Sequence, residues 1–170
     1  IDGARIFNAA ITTGVNVARM CRDYDSVSIC LSKGLGAPVG SVLVGSQEFI
    51  NKAHRWRKMF GGGWRQAGIL AAAGLYTLDH HIDRLAEDHV RARRVAEAIN
   101  AMDNFSVDMD AVQSNLVYVN CNISAAEVVA SLAEHGIDMF DLPYNRVRVA
   151  IHLHITDDDV ERIIAAFAAQ

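Results

Sequence analysis

Asp2 and Lys33 are the residues whose types and spacing first indicate chemistry in this sequence. They lie 31 positions apart, about the length of one strand–helix–strand crossover. If the flanking strands are parallel, the carboxylate and the amine lie at the same carboxyl edge of a sheet, where open α/β sheets bind ligands. An amine that can form an imine, beside a carboxylate that can hold a protonated ring nitrogen, suits a pyridoxal-type cofactor.

The segment after Lys33 is rich in small residues. Gly34 to Gly40 would let the backbone approach a planar ligand closely. It is not a P-loop or a dinucleotide-binding loop, because Lys33 precedes the glycines and neither spacing is met. Spacing alone leaves plainer interpretations open: a surface lysine, an ordinary turn, and Asp2 as the N-cap of a helix that starts near Ala4.

Several motifs together resemble the low-specificity L-threonine aldolase family. They are Asp2-Gly3-Ala4-Arg5, Asp25-Ser26-Val27-Ser28, Ser32-Lys33-Gly34-Leu35-Gly36-Ala37-Pro38-Val39-Gly40-Ser41, the run from Trp56 to Gly68, and Arg148-Val149-Ala150-Ile151-His152. The match is in register from residue 2 to about residue 98 and is looser afterwards. The resemblance implies the α/β fold type I of pyridoxal 5'-phosphate (PLP) enzymes. It also implies reversible cleavage of L-threonine or L-allo-threonine to glycine and acetaldehyde.

The same resemblance implies roles for residues that bind the cofactor. Lys33 is expected to form the imine with the PLP aldehyde and to be the catalytic residue. Asp2 is expected to hold the pyridine nitrogen, and Arg5 to contact the cofactor as well. Arg65 is expected to contact the cofactor phosphate in the site of a neighbouring subunit.

Substrate binding is implied for a second set of residues. Arg5 and Arg148 are expected to grip the substrate carboxylate, a task that suits the planar fork of guanidinium. Arg146, two positions before Arg148, is the residue most easily confused with it. Lys58 is expected to reach across a dimer interface to the neighbouring subunit.

Apolar runs and turn residues divide the chain into three regions. Residues 1–65 are predicted to be the C-terminal part of the large PLP-binding domain, 66–101 connecting helices, and 102–170 a small α+β domain. Within the last region, Ile137 to Phe140 and Val147 to Ile151 are predicted strands.

Four histidines occur as close pairs in the sequence. His152 and His154 are too few by themselves to hold a metal ion, and no metal is expected. His80 and His81 are predicted to lie on a helix surface.

Composition limits the classes of partner. Hydrophobic residues make up 51%, and the net charge is −4, so the basic excess typical of a nucleic-acid surface is missing. No apolar run is long enough for a membrane span. Three scattered cysteines fit reduced thiols in the cytoplasm.

The resemblance also predicts what this chain needs from elsewhere. In the family, the N-terminal half supplies a histidine that stacks on the cofactor and a loop that holds the phosphate. We therefore expect the chain to act with the N-terminal half of the same enzyme, in a homodimer or homotetramer. Another fold type I lyase or aminotransferase, a noncatalytic fragment or binding module, and a hydride-transferring Rossmann enzyme are the alternatives.

Overall fold

The computed structural model describes every residue from Ile1 to Gln170. The chain forms two compact units, Ile1–Leu85 and Ala86–Gln170. Their boundary lies inside the segment 66–101 that the sequence assigns to connecting helices. No helix is both long enough and apolar enough to cross a membrane.

A three-stranded sheet organises the first unit. Its strands, in spatial order, are β1 (Asp2–Gly3), β2 (Ser26–Cys30) and β3 (Ser41–Gly45). β1 runs parallel to β2, with Asp2 opposite Ser28, and β3 runs antiparallel to β2. The parallel pairing on which the argument from spacing depended is therefore present.

Four helices belong to this unit, and some of their residues complete a small core. They are α1 (Ile6–Thr13), α2 (Val17–Cys21), α3 (Gln47–Met59) and α4 (Gly68–His80). The core contains Leu31, Leu35, Ala37 and Leu85, against which Phe7, Ile11, Ile29, Leu78 and Ile82 pack. Since three of the four fully buried residues follow β2 directly, the core fixes the segment that carries Lys33.

The second unit is an antiparallel sheet with helices on one face. Its strands, in spatial order, are β4 (Phe105–Val107), β5 (Leu116–Cys121), β7 (Arg146–Ala150) and β6 (Phe140–Leu142). Its helices are α5 (Leu85–Asn100), α6 (Ala125–Glu134) and α7 (Asp157–Ala168). Alternate strand residues pack with these helices in one core, as expected for a half-buried sheet.

The predicted strand Ile137 to Phe140 is wrong in position, because the chain there still completes the end of α6. Gly136 has a left-handed φ of 71°, and the Ile137 amide donates to the Leu132 carbonyl at 3.0 Å. A helix that ends in this way uses the first amides after its last turn. The strand therefore begins only at Phe140 and ends at Leu142.

A capping box starts α7, where Thr156 precedes a first turn that contains aspartates only. The Asp159 amide donates to Thr156 Oγ1 at 3.2 Å, and the Thr156 amide donates to Asp159 Oδ2 at 3.0 Å. The bond from the Thr156 amide, followed by one from the Thr156 hydroxyl to Asp159 Oδ2 at 2.7 Å, lowers the pKa of the Asp159 carboxyl. Asp159 therefore stabilises the folded state above its unfolded pKa, and this contribution is lost as pH falls through the lowered value.

Removing the cap should weaken the second unit. We expect Thr156→Ala to lower the free energy of unfolding by about 1 kcal/mol at neutral pH. We also expect Asp159→Asn to lower the free energy of unfolding at neutral pH, and to lower it progressively less as the pH falls. Urea unfolding between neutral and acid pH measures both effects. Asp158→Asn removes a charge from the same turn without breaking the cap, so an equal loss in that variant would contradict the assignment.

Candidate active site

Hydrogen bonds hold the backbone around Lys33 in place, whereas the side chain of Lys33 is exposed. The Gly36 amide donates to the Lys33 carbonyl at 2.9 Å, and the Ala37 amide donates to the Leu31 carbonyl at 2.9 Å. Leu35 and Ala37 point into the core. Lys33 thus follows the end of β2 on a short, anchored turn that leaves its amine accessible.

Asp2 lies on β1, the neighbouring parallel strand, opposite Ser28 in the middle of β2. Its Oδ1 accepts a hydrogen bond from the Ala4 amide at 3.1 Å, which orients the carboxylate. The N-cap of α1 is Arg5 rather than Asp2, so the N-cap interpretation of Asp2 is wrong. Oδ2 accepts no bond within the protein and remains available to a protonated nitrogen.

Gly3 is what allows β1 and β2 to pair so closely. A Cβ atom at this position would lie 2.9 Å from the Ser28 carbonyl oxygen and 3.0 Å from Val27 Cγ1. Real Cβ atoms do not approach a backbone oxygen so closely, and the backbone cannot yield without breaking the pairing. The placement of Asp2 beside β2 therefore depends on a residue without a side chain.

Arg5 carries a buried donor that lacks an acceptor. Its Nε has no hydrogen-bond partner in the protein, and an unsatisfied buried donor costs roughly 1–3 kcal/mol. A buried donor without a protein partner is one that a ligand oxygen or an ordered water can satisfy. An accessible amine, an oriented carboxylate and a guanidinium without a protein partner, carried by two adjacent parallel strands and the segments that follow them, are groups that an aldehyde cofactor with a ring nitrogen and an anionic ligand would use.

Arg148 and Arg146 occupy different environments on β7 of the second unit. Arg146 Nε donates to the Pro143 carbonyl at 3.2 Å, and its guanidinium carbon lies 5.5 Å from the centre of the Tyr144 ring. Arg148 forms no hydrogen bond or ion pair, and it lines a cavity of about 410 Å³. Of the two arginines, Arg148 is thus the one without an internal partner.

Residues around Arg148 include several that the sequence did not single out. Tyr118 of β5 and Phe140 of β6 stand directly opposite it on either side. Both are exposed, at 42% and 71%, and long side chains opposite one another across strands are within contact distance. Only the strand register reveals these neighbours. His152 and His154 line the same cavity.

Lys58 and Arg65 lie outside the group formed by Asp2, Arg5 and Lys33. Lys58 is in the last turn of α3, Arg65 lies before α4, and both side chains are exposed. No hydrogen bond or ion pair joins either of them to another residue of the chain. Their predicted roles across a subunit interface stay predictions.

His81 is a further residue that the sequence placed wrongly. It is half-buried rather than on a helix surface, and its Nδ1 is 2.6 Å from the Leu35 carbonyl oxygen. His80, its neighbour, is exposed. Nothing in the local sequence distinguishes the two histidines, because the partner lies 46 residues away.

A family model described as "Beta-eliminating lyase" matches residues 1–122. The chain is 44% identical to low-specificity L-threonine aldolase 1 of Arabidopsis thaliana, over 98% of this chain and 48% of that protein. It is 40% identical to the low specificity L-threonine aldolase of Escherichia coli K12, over 99% of this chain and 50% of that protein. The chain thus spans about half the length of the curated relatives it matches.

Solved structures show the same fold. The threonine aldolase of Leishmania major superimposes with a TM-score of 0.77 at 18% identity, over 99% of this chain and 50% of that chain. At this identity the likeness concerns the fold alone, which is fold type I of the PLP enzymes, as the sequence predicts.

The close approach at Gly3 can be tested directly. We expect Gly3→Ala to lower the free energy of unfolding by roughly 1–3 kcal/mol, because the added methyl group would force β1 away from β2. Urea unfolding measures the loss. Gly68→Ala is the matched control, since a Cβ there meets no atom within 4 Å. Equal stability of the two variants would show that β1 tolerates a side chain.

Proposed function

Because the chain belongs to the beta-eliminating lyase family, we propose that it is part of a PLP-dependent carbon–carbon lyase. The proposed reaction is reversible retro-aldol cleavage of L-threonine or L-allo-threonine to glycine and acetaldehyde. The observation that carries the proposal is the arrangement of Lys33, Asp2 and Arg5, each of which has a reactive or binding group without a partner. Similarity to proteins named threonine aldolases along nearly the whole chain supports this reaction over others on the same fold.

Each residue of the first unit has a distinct task in this proposal. Lys33 would hold the cofactor through its amine and release it to the substrate. Asp2 Oδ2 would accept the hydrogen bond from the ring nitrogen and keep that nitrogen protonated. Arg5 would donate Nε to an oxygen of the cofactor or the substrate. PLP, when bound, supplies a ring that withdraws electrons from the substrate carbon.

Arg148 would hold the substrate carboxylate with two parallel hydrogen bonds. Its freedom from internal partners supports this role, because no existing bond must break first. A carboxylate fixed in this way limits rotation of the amino acid, and the orientation of the bond to be broken decides which bond reacts.

Exposed apolar residues support the proposal that the chain does not act alone. Trp56, Phe60 and Trp64 are exposed at 55%, 82% and 64%, close in sequence to Lys58 and Arg65. Isolated exposed apolar residues are common, but a cluster of large ones marks an interaction surface. We assign this surface to a second copy of the enzyme in a homodimer or homotetramer, where Lys58 and Arg65 would reach the neighbouring site.

The sheet of the first unit offers a second surface of this kind. Val42, Leu43 and Val44 of β3 are exposed at 41–49%, although such residues are normally buried in the sheets of α/β enzymes. We propose that the N-terminal half of the same enzyme covers them and supplies the remaining cofactor contacts. The three cysteines are all unpaired, which supports a reducing, cytoplasmic compartment.

Lys33 should carry the cofactor. In the complete enzyme with PLP and L-threonine, we expect acetaldehyde and glycine as products. Borohydride reduction and peptide mapping should place the pyridoxyl group on Lys33. Lys33→Ala should lose both the label and the acetaldehyde, whereas Lys52→Ala should keep them. A label on Lys52 or Lys58 would falsify the assignment, and 2-oxobutanoate with ammonia as products would favour an eliminating lyase.

Arg148 should control substrate affinity. Arg148→Lys keeps the charge but loses the planar fork, so kcat/KM should fall by a factor equivalent to roughly 1.5–3 kcal/mol. The absorption band of the bound cofactor should persist. Steady-state kinetics with L-threonine measure the loss. Arg146→Lys is the matched control, and if that variant loses activity while Arg148→Lys does not, Arg146 is the carboxylate-binding residue.

A further inference from the structure

His81 bonds to the turn that follows Lys33. The distance from His81 Nδ1 to the Leu35 carbonyl oxygen is 2.6 Å, which is a short hydrogen bond. A carbonyl oxygen only accepts, so the proton lies on Nδ1 and His81 donates. His81 itself is fixed at the end of α4, where its amide donates to the Thr77 carbonyl at 2.9 Å.

Leu35, whose carbonyl accepts this hydrogen bond, lies in the same turn as Lys33. Its side chain is 2% exposed and packs with Leu31, Ala37 and Leu85. One residue further along, the Gly36 amide closes the turn on the Lys33 carbonyl at 2.9 Å. The Leu35 carbonyl thus belongs to a turn of four residues whose first member is Lys33, and a shift at Leu35 must move the lysine.

The opposite side of the turn is blocked by α1 and by the residue that begins α5. A Cβ atom at Gly34 would lie 2.9 Å from Asn8 Oδ1 and 3.1 Å from Leu85 Cδ2. Asn8 is 3% exposed and Leu85 is fully buried, so neither side chain has free space into which it can retreat. The turn is therefore held on one side by packing at Gly34 and on the other by the His81 bond.

We propose that His81 is a positioning residue for Lys33, acting through the carbonyl of Leu35. This inference rests on the proposed function, in which Lys33 binds the cofactor. His81 would not contact the reacting atoms. It would fix the direction in which the lysine leaves the turn, so that the amine is held near the cofactor aldehyde and returns to it after each turnover.

Three variants separate this role from general stability. His81→Leu removes the donor, whereas His81→Asn retains an N–H close to the position of Nδ1. His80→Leu is the matched control, because His80 is exposed at the same helix end. If the turn is disturbed in His81→Leu but not in His81→Asn, the cause is the lost hydrogen bond. If both variants disturb the turn, the cause is altered packing.

Hydrogen exchange in the cofactor-free complete enzyme gives a readout that does not depend on activity. Peptides covering residues 31–40 should exchange roughly tenfold faster in His81→Leu, because an unpaired buried carbonyl favours local opening. His81→Asn and His80→Leu should resemble the unmodified enzyme. Equal exchange in all proteins, or equal acceleration in His80→Leu, would overturn the proposal.

The cofactor-bound enzyme provides the second measurement. In His81→Leu we expect PLP affinity and kcat to fall roughly tenfold, with the absorption band moved towards that of free PLP and KM changed less. His81→Asn should restore the band. If His81→Leu shows none of these changes while Lys33 still takes the pyridoxyl label, only the proposed role of His81 is rejected. A label elsewhere would remove the proposed function itself.

Discussion

The pairing of β1 with β2 is the contact on which the first unit depends, and it rests on a two-residue strand. Asp2 and Gly3 face Ser28 and Ile29, and the Ser28 amide donates to the Ile1 carbonyl at 3.0 Å. Because Gly3 permits this approach, Asp2 is held beside the strand that leads to Lys33. The start of α1 follows from the same pairing, so the positions of Arg5 and Asn8 are set with it. One backbone contact thus places a carboxylate, a guanidinium and the packing partner of Gly34.

Charged side chains separate into those with internal partners and those without. Arg91 bonds to Asp157 at 2.8 Å, and Arg94 pairs with Glu161, which ties α5 to α7. The hydrogen bond from Arg91 lowers the pKa of the Asp157 carboxyl. Lys33 and Arg148, by contrast, have no ionic partner. A cation that is already paired must break a bond before it binds a ligand, so the unpaired cations are the better candidates for substrate and cofactor contacts.

The sequence predicted regular elements well where local signals were strong. The predicted strand Val147 to Ile151 is present as Arg146–Ala150, because its alternation of apolar and polar residues is a local signal of a half-buried strand. The strand placed at Ile137 to Phe140 failed because apolar character alone does not show that the first amide after Gly136 closes a helix. Motif resemblance indicated Lys33 and Arg148 as site residues, which stays a prediction, and it carries no information on side-chain partners. The difference between Arg148 and Arg146 therefore emerged only from the hydrogen bonds and the cavity.

Accessibility and rigidity conflict at a residue such as Lys33. The proposed role requires that the amine of Lys33 be accessible to a cofactor, and an exposed lysine side chain has many rotamers. Its position must therefore come from the backbone, and the backbone here is fixed by neighbours that are themselves buried. Leu35 and Ala37 anchor the turn in the core, while Gly34 lets it rest against Asn8. His81 satisfies a carbonyl that the turn itself leaves unpaired. The partners of the turn, Asn8, His81 and Leu85, are far from it in sequence, so they help to determine the geometry of the lysine without forming part of its motif.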